Sequence, residues 1–347
     1  MTVSAEKGHS ESRSGFFGLD RYRLLQASLL SLRAGPALIL LLLIIAIALT
    51  TPIFLTSRNI GNVFSQTSVI AVVALGQLLV IITRGIDLSV GSTIALSGVV
   101  GAIVFEHTNS SILVIAAILG TGIAVGAVNG LVYVYGRVPH PFIVTLATLS
   151  IVRGLALWAS DGTLIPGMPP VVQTIGGGTI NWIPYSIFVV AGVAIATLAL
   201  TTWLVWGRWL YAVGGNPEAA RRSSIPTRGV LVTVYVLSGL AAGIGGLFTA
   251  GLIDGGSPTA GDLAELDSIA AVIIGGAAFA GGRGSVGNAL VGAFTIGVIR
   301  NALNLHNVDA FYQLMAIGVV VLLAVEADVL RRHIEGRVQV ARAVRHA

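Results

Sequence analysis

The residues best placed to do chemistry in this 347-residue chain lie in one short run, Thr83-Arg84-Gly85-Ile86-Asp87-Leu88-Ser89-Val90-Gly91-Ser92. Asp87 stands between two apolar stretches, and Ser89 and Ser92 come after it. Its carboxylate can accept backbone N–H groups as the N-cap of the next helix, and its charge suits that helix end. A second reading makes the run a broken-helix element beside a solute path. Exposed backbone groups and Asp87 would there hydrogen-bond a polyhydroxylated solute or move during gating. Five neutral polar side chains, Gln66, Gln77, Asn129, Thr145 and Thr148, sit inside otherwise apolar stretches and are candidates to line such a path with Asp87 and Ser89. Bonding to a neighbouring helix is the alternative for each.

Several other chemistries are excluded. The only lysine is Lys7, so no phosphate-cradling Gly-x-x-x-x-Gly-Lys loop exists. There is no His-Glu-x-x-His pair and no Gly-x-Ser-x-Gly elbow, and the six histidines show no ligand spacing. With no cysteine, disulfides, thiolate catalysis and cysteine metal sites are out. No catalytic or metal-binding set is expected, and the chain does not bind ATP by a P-loop.

The elements that position these residues are apolar helices. Hydrophobic residues make up 55% of the chain and charged residues 10%, too little polar surface to cover a water-facing fold of this length. Pro36–Leu49 and Val230–Ile253 are apolar almost continuously, which a transmembrane β-barrel strand is not. The expected fold is all-α, a polytopic membrane protein with ten spans near 35–55, 63–83, 88–105, 112–135, 142–159, 184–206, 229–253, 266–282, 285–304 and 309–328. Residues 1–34 and 331–347 form polar, basic tails on either side of a membrane domain over 35–330.

Charge sets the orientation. Nearly all of the 20 basic residues fall in the tails or in alternate gaps between spans, which places both termini and those gaps in the cytoplasm of a multi-pass inner-membrane protein. The same orientation explains a pI near 10.0 without nucleic acid. Residues Leu19–Arg33 read either as an interfacial basic helix or as the charged collar of the first span. A cleavable leader ending near Ala46-Ile47-Ala48 is the competing reading of the first apolar run. The outward gaps include two long glycine- and proline-rich loops, Ser160–Ile183 and Asp254–Glu265.

Individual spans carry further signals. The charge-free run Ser268–Gly282 is short for a crossing and needs polar ends, a thinned bilayer or a break; with the next span it can form a partly re-entrant hairpin. Glycines recur as Gly120/Gly122/Gly126/Gly130 and Gly239/Gly243/Gly245/Gly246, the spacing of close helix packing or of a moving interface. Arg300, near the outer end of its span, is expected to snorkel, and Arg153 either to pack between helices or to line an outer vestibule.

In the sixth gap, Tyr211-Ala212-Val213-Gly214-Gly215-Asn216-Pro217-Glu218-Ala219-Ala220-Arg221 reads as a turn and then a short helix, with Pro217 at its first position and an acid at its amino end. Read alone, it is an ordinary inter-span turn or a rigid helix suited to press on a partner.

Three blocks resemble one family, the inner-membrane permease subunits of ABC importers for ribose, xylose, galactose and related sugars. They are Gly85–Ser92, with Arg84 where a glycine is more usual; Tyr211–Arg221; and Glu265–Gly276 continuing through Gly281-Gly282-Arg283-Gly284-Ser285-Val286-Gly287. The likeness covers roughly residues 35–328, and branched-chain amino-acid permeases fit less well. The resemblance implies a homodimer with its pathway near the subunit interface. A soluble sugar-binding protein outside would deliver a monosaccharide, and a separate ATPase subunit would hold ATP and magnesium. It further implies that Gly215, Asn216, Pro217, Glu218, Ala219, Ala220 and Arg221 form the coupling helix seated in that ATPase, and that the chain is a permease and not an enzyme. An ion-coupled secondary carrier is the alternative from another class, with Asp87 its clearest titratable group.

Overall fold

The structure, a computed structural model, describes residues 35–346; the expectations for the amino-terminal tail, including Leu19–Arg33, lie outside them. The chain is helical almost throughout. The helices are α1 (Gly35–Thr50), α2 (Ser57–Ile82), α3 (Val90–Thr108), α4 (Ser111–Tyr135), α5 (Pro141–Ala159), α6 (Pro170–Gly177), α7 (Tyr185–Thr202), α8 (Val205–Gly215), α9 (Pro217–Arg222), α10 (Thr227–Ile253), α11 (Ala264–Ile274), α12 (Val286–Leu305) and α13 (Ala310–His346). Seven of these, α2 to α5, α7, α10 and α12, are long and apolar enough to cross a membrane. The apolar helix α1 and the apolar part of α13, Ala310–Glu326, are shorter.

Lipid offers no hydrophobic drive for helix association, so the bundle is held by close backbone approach and polar contacts. The two predicted glycine series meet each other in this way. A Cβ added at Gly122 would strike the Gly239 carbonyl, one at Gly239 would strike the Gly122 carbonyl, and one at Gly126 would strike the Tyr235 carbonyl. Helices α4 and α10 therefore cross at backbone contact. Behind them α2 is the central post: from Ile70 to Ile82 every residue is buried, and with α10, α11 and α12 it forms the main core. Helices α1, α4, α5 and α7 turn large apolar side chains such as Leu42, Ile112, Ile151 and Ile195 outward, as a lipid-facing layer does.

The two long glycine- and proline-rich loops, 160–183 and 254–265, are stitched together. Strand β1 (Ile165–Pro166) pairs antiparallel with β4 (Gly255–Gly256), with Ile165 opposite Gly256 and Pro166 opposite Gly255. Asp254 then accepts the Met168 N–H and the Gln173 side-chain amide, each at 2.8 Å. A small hairpin of β2 (Thr179–Ile180) and β3 (Ile183–Pro184) precedes α7. Its Trp182 ring stacks on Phe64 of α2, with centroids 6.3 Å apart.

Span boundaries shift in two places. The sixth span ends at Thr202, and the next element is the separate helix α8. The eighth is not a continuous crossing, because α11 has 11 residues and stops at Gly275, where a glycine-rich turn leads to α12.

Candidate functional site

The α2–α3 connection starts with a left-handed helix stop. Thr83 is the C-cap of α2, Arg84 comes next at φ 67°, the Arg84 N–H donates to Ile81 O at 3.0 Å, and the Gly85 N–H donates to Val80 O at 2.9 Å. This pairing is a Schellman motif, and its left-handed position is the one glycine usually takes. An arginine there costs about 1 kcal/mol or more of backbone strain. Residues 85–88 are non-helical, and α3 begins at Val90.

Asp87 lies inside that non-helical run, 1% exposed. Its Oδ1 accepts the Ser89 N–H at 3.0 Å and the Ser89 hydroxyl at 2.7 Å, and its Oδ2 accepts the Ser238 hydroxyl from α10 at 2.8 Å. Ser89 is the residue at the N-cap, and no side-chain bond caps the first turn of α3. The capping expectation is thus corrected: Asp87 braces the approach to the helix and ties it to α10. Asn129 of α4 donates to the Ser89 hydroxyl at 2.8 Å. With its amide nitrogen turned toward the Asp87 carbonyl, Gln77 of α2 brackets the Asp87 main chain at 3.3 and 3.2 Å. Gln77 lies five residues before the end of α2, so the Asp87 main chain is set back about 7 Å from that end. The break is a short non-helical segment held by side chains of four helices, α2, α4, α5 and α10.

The other polar candidates separate clearly. Thr145 is buried and donates to Ile86 O at 3.1 Å, joining α5 to the same break. Thr148, Gln77 and Asn129 are buried as well. Gln66 alone is exposed, on the amino-terminal half of α2 in line with the exposed Arg58 and Asn62 at four-residue spacing. Ser238 and Tyr235, which complete the break from α10, carry no distinguishing pattern in the sequence; the Tyr235 hydroxyl would lie 2.6 Å from a Cβ at Gly85.

A second break lies on the opposite face. After β4 the chain tracks α3 inward, so that a Cβ at Gly256 would strike the Gly98 carbonyl and one at Gly261 would come within 2.7 Å of the Gly91 carbonyl. Helix α11 therefore starts deep in the bundle. Backbone carbonyls buried in that way need donors. Arg153 supplies them, donating from one guanidinium nitrogen to Pro258 O at 2.7 Å and Ala260 O at 3.0 Å. This is the packing role, exercised on a loop. Arg300 does not snorkel: it pairs with Asp267 of α11 at 2.7 Å, where the carboxylate side chain is 7% exposed.

The projecting helix α9 sits next to the first break. Asn216 caps it, accepting the Ala219 N–H at 3.0 Å, and Pro217 is its first residue. Glu218 and Arg221 pair at 2.9 Å in the open; Ala219 is exposed, whereas Ala220 is buried against its base. Gly215 is exposed with no atom near a would-be Cβ. Just before it, Gly214 packs on the end of α2, and the Arg84 guanidinium donates to Gly214 O at 2.6 Å and to Gly215 O.

Comparison with known proteins decides the family. A family model described as branched-chain amino acid transport system permease component matches residues 59–325. This chain belongs to that permease family. Individual relatives of the permease include the ribose import permease protein of Escherichia coli (strain K12), 39% identical over 297 residues, which cover 84% of this chain and 92% of the relative. The Bacillus subtilis (strain 168) ribose import permease protein is also 39% identical, over 85% and 92%. The D-allose transport system permease protein of Escherichia coli (strain K12) is 36% identical, over 83% and 89%. No solved structure matches. The permease is a multi-pass protein of the inner membrane whose task is transport rather than catalysis.

Proposed function

We propose that this permease forms the membrane path of an ABC importer for a monosaccharide, ribose or a related sugar. The observation that carries the sugar reading is the coverage of the relatives named for ribose and allose, which extends over nine-tenths of their own length. Ten crossings are reached by adding to the seven long helices α1, the apolar part of α13 and, as a broken crossing completed by the non-helical chain on either side of it, α11. The arginine distribution then puts both termini, α9 and the α2–α3 break on the cytoplasmic side, and the paired loops 160–183 and 254–265 outside. Two copies associate, a sugar-loaded binding protein docks on the outer loops, and an ATPase subunit receives α9. ATP and magnesium stay on that subunit, and this chain holds no cofactor of its own.

In this reading Gln66 lines the outer half of the path, because an amide facing lipid at that depth lacks partners, whereas a hydrated path supplies them. Asp87, Ser89, Gln77, Asn129, Thr145 and Thr148 act further in, as the bonded frame of the break and its neighbours. The buried Asn129 Oδ1 and Tyr235 hydroxyl, which have no hydrogen-bond partner among the described residues, support a break that rearranges during transport.

The test is to purify the cognate binding protein and titrate it with pentoses, hexoses, deoxysugars, polyols and branched-chain amino acids. Sugar binding is the expected result. Tight binding of an amino acid with no sugar bound would transfer the assignment to the amino-acid importers named by the family description, leaving the architecture in place.

A further inference from the structure

We propose that Arg84 is the positioning residue that carries movement of α9 to the α2–α3 break. The proposal rests on the importer reading, in which α9 is the element pressed by the ATPase subunit.

Arg84 occupies the left-handed stop of α2, at φ 67°, a position that glycine usually takes. Glycine would satisfy the backbone alone. The arginine side chain adds a function the turn does not need, because it reaches across to the last two carbonyls of α8, which have no partner within their own helix. A cation at a helix carboxyl end is also favoured by the helix dipole. The bonds are therefore charge-assisted and directed by a rigid planar fork.

There is no slack on either side of this link. Gly215 leads directly into Asn216, whose side chain caps α9. The end of α8 cannot slide over α2, since a Cβ at Gly214 would overlap the Ile82 carbonyl. That same carbonyl accepts the Gly282 N–H at 2.8 Å, and the Tyr211 hydroxyl of α8 donates to Gly284 O at 2.9 Å, so the turn before α12 belongs to the same pad. In the other direction only Gly85 and Ile86 separate Arg84 from Asp87, whose oxygens hold Ser89 and Ser238. Displacing α9 pulls on Arg84, and displacing Arg84 pulls on the non-helical segment between α2 and α3.

The experiment uses the complete transporter, permease with its ATPase subunit in proteoliposomes, with sugar-loaded binding protein enclosed on the side of the outer loops. Sugar moved per ATP hydrolysed is measured for wild type, Arg84→Gly and Arg84→Lys, alongside retention of the ATPase subunit on purification. Arg84→Gly is expected to retain the ATPase subunit and to lower the transport ratio by about tenfold or more, since it removes both charge-assisted hydrogen bonds and the loss of one alone corresponds to about tenfold. Arg84→Lys, with a single point charge able to reach one carbonyl, should fall between the two. A purely structural staple would instead reduce folded protein and leave the ratio of the surviving complexes unchanged. An unchanged ratio in Arg84→Gly overturns the proposal. Loss of the ATPase subunit from both variants also overturns it, because Arg84 would then belong to docking. Should Arg84→Gly fail to reach the membrane, the ratio for Arg84→Lys decides: a lowered ratio supports the link and an unchanged one refutes it. A wild-type permease that retains no ATPase subunit would show the importer reading itself to be wrong, before any variant is compared.

Discussion

Arg300 of α12 closes an ion pair with Asp267 of α11 at 2.7 Å, with the carboxylate almost fully buried and the guanidinium side chain 27% exposed. The pair fastens a helix too short to cross a membrane to one that is long enough. Removing one partner leaves the other's charge uncompensated, which outweighs the pair's own net attraction. Arg300→Leu or Asp267→Asn is expected to cost about 3 kcal/mol, the low end for a buried pair because Arg300 is partly solvated. The double replacement Asp267→Leu with Arg300→Met should recover much of it. Thermal unfolding of the detergent-purified permease is the measurement, and a double variant no better than either single one would refute the account.

At the first break, the bonds around Asp87 predict different fates for two substitutions. Asparagine keeps one acceptor oxygen for the Ser89 N–H and can donate from its nitrogen to the Ser238 hydroxyl, which accepts as readily as it donates. Asp87→Asn should fold normally and retain much of its transport. Asp87→Ala leaves buried donors unanswered at about 1–3 kcal/mol and should be less stable. A folded Asp87→Asn permease devoid of uptake would mean that the charge itself serves the transport cycle.

Arg153 makes a comparable prediction for the outer loop. Its guanidinium holds two carbonyls of a segment lying along α3. Arg153→Leu should release residues 257–261, so that a cysteine placed at Pro258 reacts faster with an impermeant thiol reagent than it does in the Arg153 background. Equal reaction rates would show that the β1–β4 pairing alone holds the loop. The absence of native cysteine makes the comparison direct.

Composition and glycine spacing made much of this fold legible. The long helices, the small-residue faces of α4 and α10, and the short helix starting at Pro217 all rest on local patterns that a sequence displays. That the two glycine series meet each other and that Asn216 caps the short helix came only with the structure. The features that escaped depend on distant partners. Asp267 and Arg300 are separated by 32 intervening residues, and nothing local to either one marks the other. The pairing of Ile165–Pro166 with Gly255–Gly256 is two residues long, too short to leave an alternating pattern. The Asp87 site was legible as chemistry, but its role shifted because the helix starts two residues later than a capping carboxylate requires, and its partner Ser238 is a common residue in an apolar helix. The polar span residues looked alike in sequence. Only burial distinguishes Gln66 from Gln77, Asn129 and Thr145.

That distinction is testable. A single cysteine at Gln66 should react with a small impermeant reagent applied from outside, and sugar-loaded binding protein should slow the reaction. Cysteine at Asn129, fully buried, should stay unreactive in the folded permease. Failure of Gln66→Cys to react, or spontaneous cross-linking of two such cysteines, would place this face in lipid or in the contact between two copies and remove it from the path.

The neighbouring glycines Gly214 and Gly215 separate packing from conformation next to α9. A Cβ at Gly214 would overlap the Ile82 carbonyl and lie 2.8 Å from the Gly282 nitrogen, and both obstacles are backbone, which cannot rotate aside. At Gly215 a Cβ meets nothing within 4 Å. Both residues lie in helix α8, where alanine is intrinsically favoured over glycine by roughly 0.5–1 kcal/mol. Gly215→Ala should therefore be neutral or slightly stabilising and leave uptake intact. Gly214→Ala should separate α8 from α2, weaken the Arg84 bonds that depend on that contact, and lower uptake more than it lowers the amount of inserted protein. Uptake assays normalised to membrane-inserted permease provide the comparison. Equal behaviour of the two alanine variants would mean that α8 and α2 are not locked at this point, and that α9 moves without engaging the end of α2.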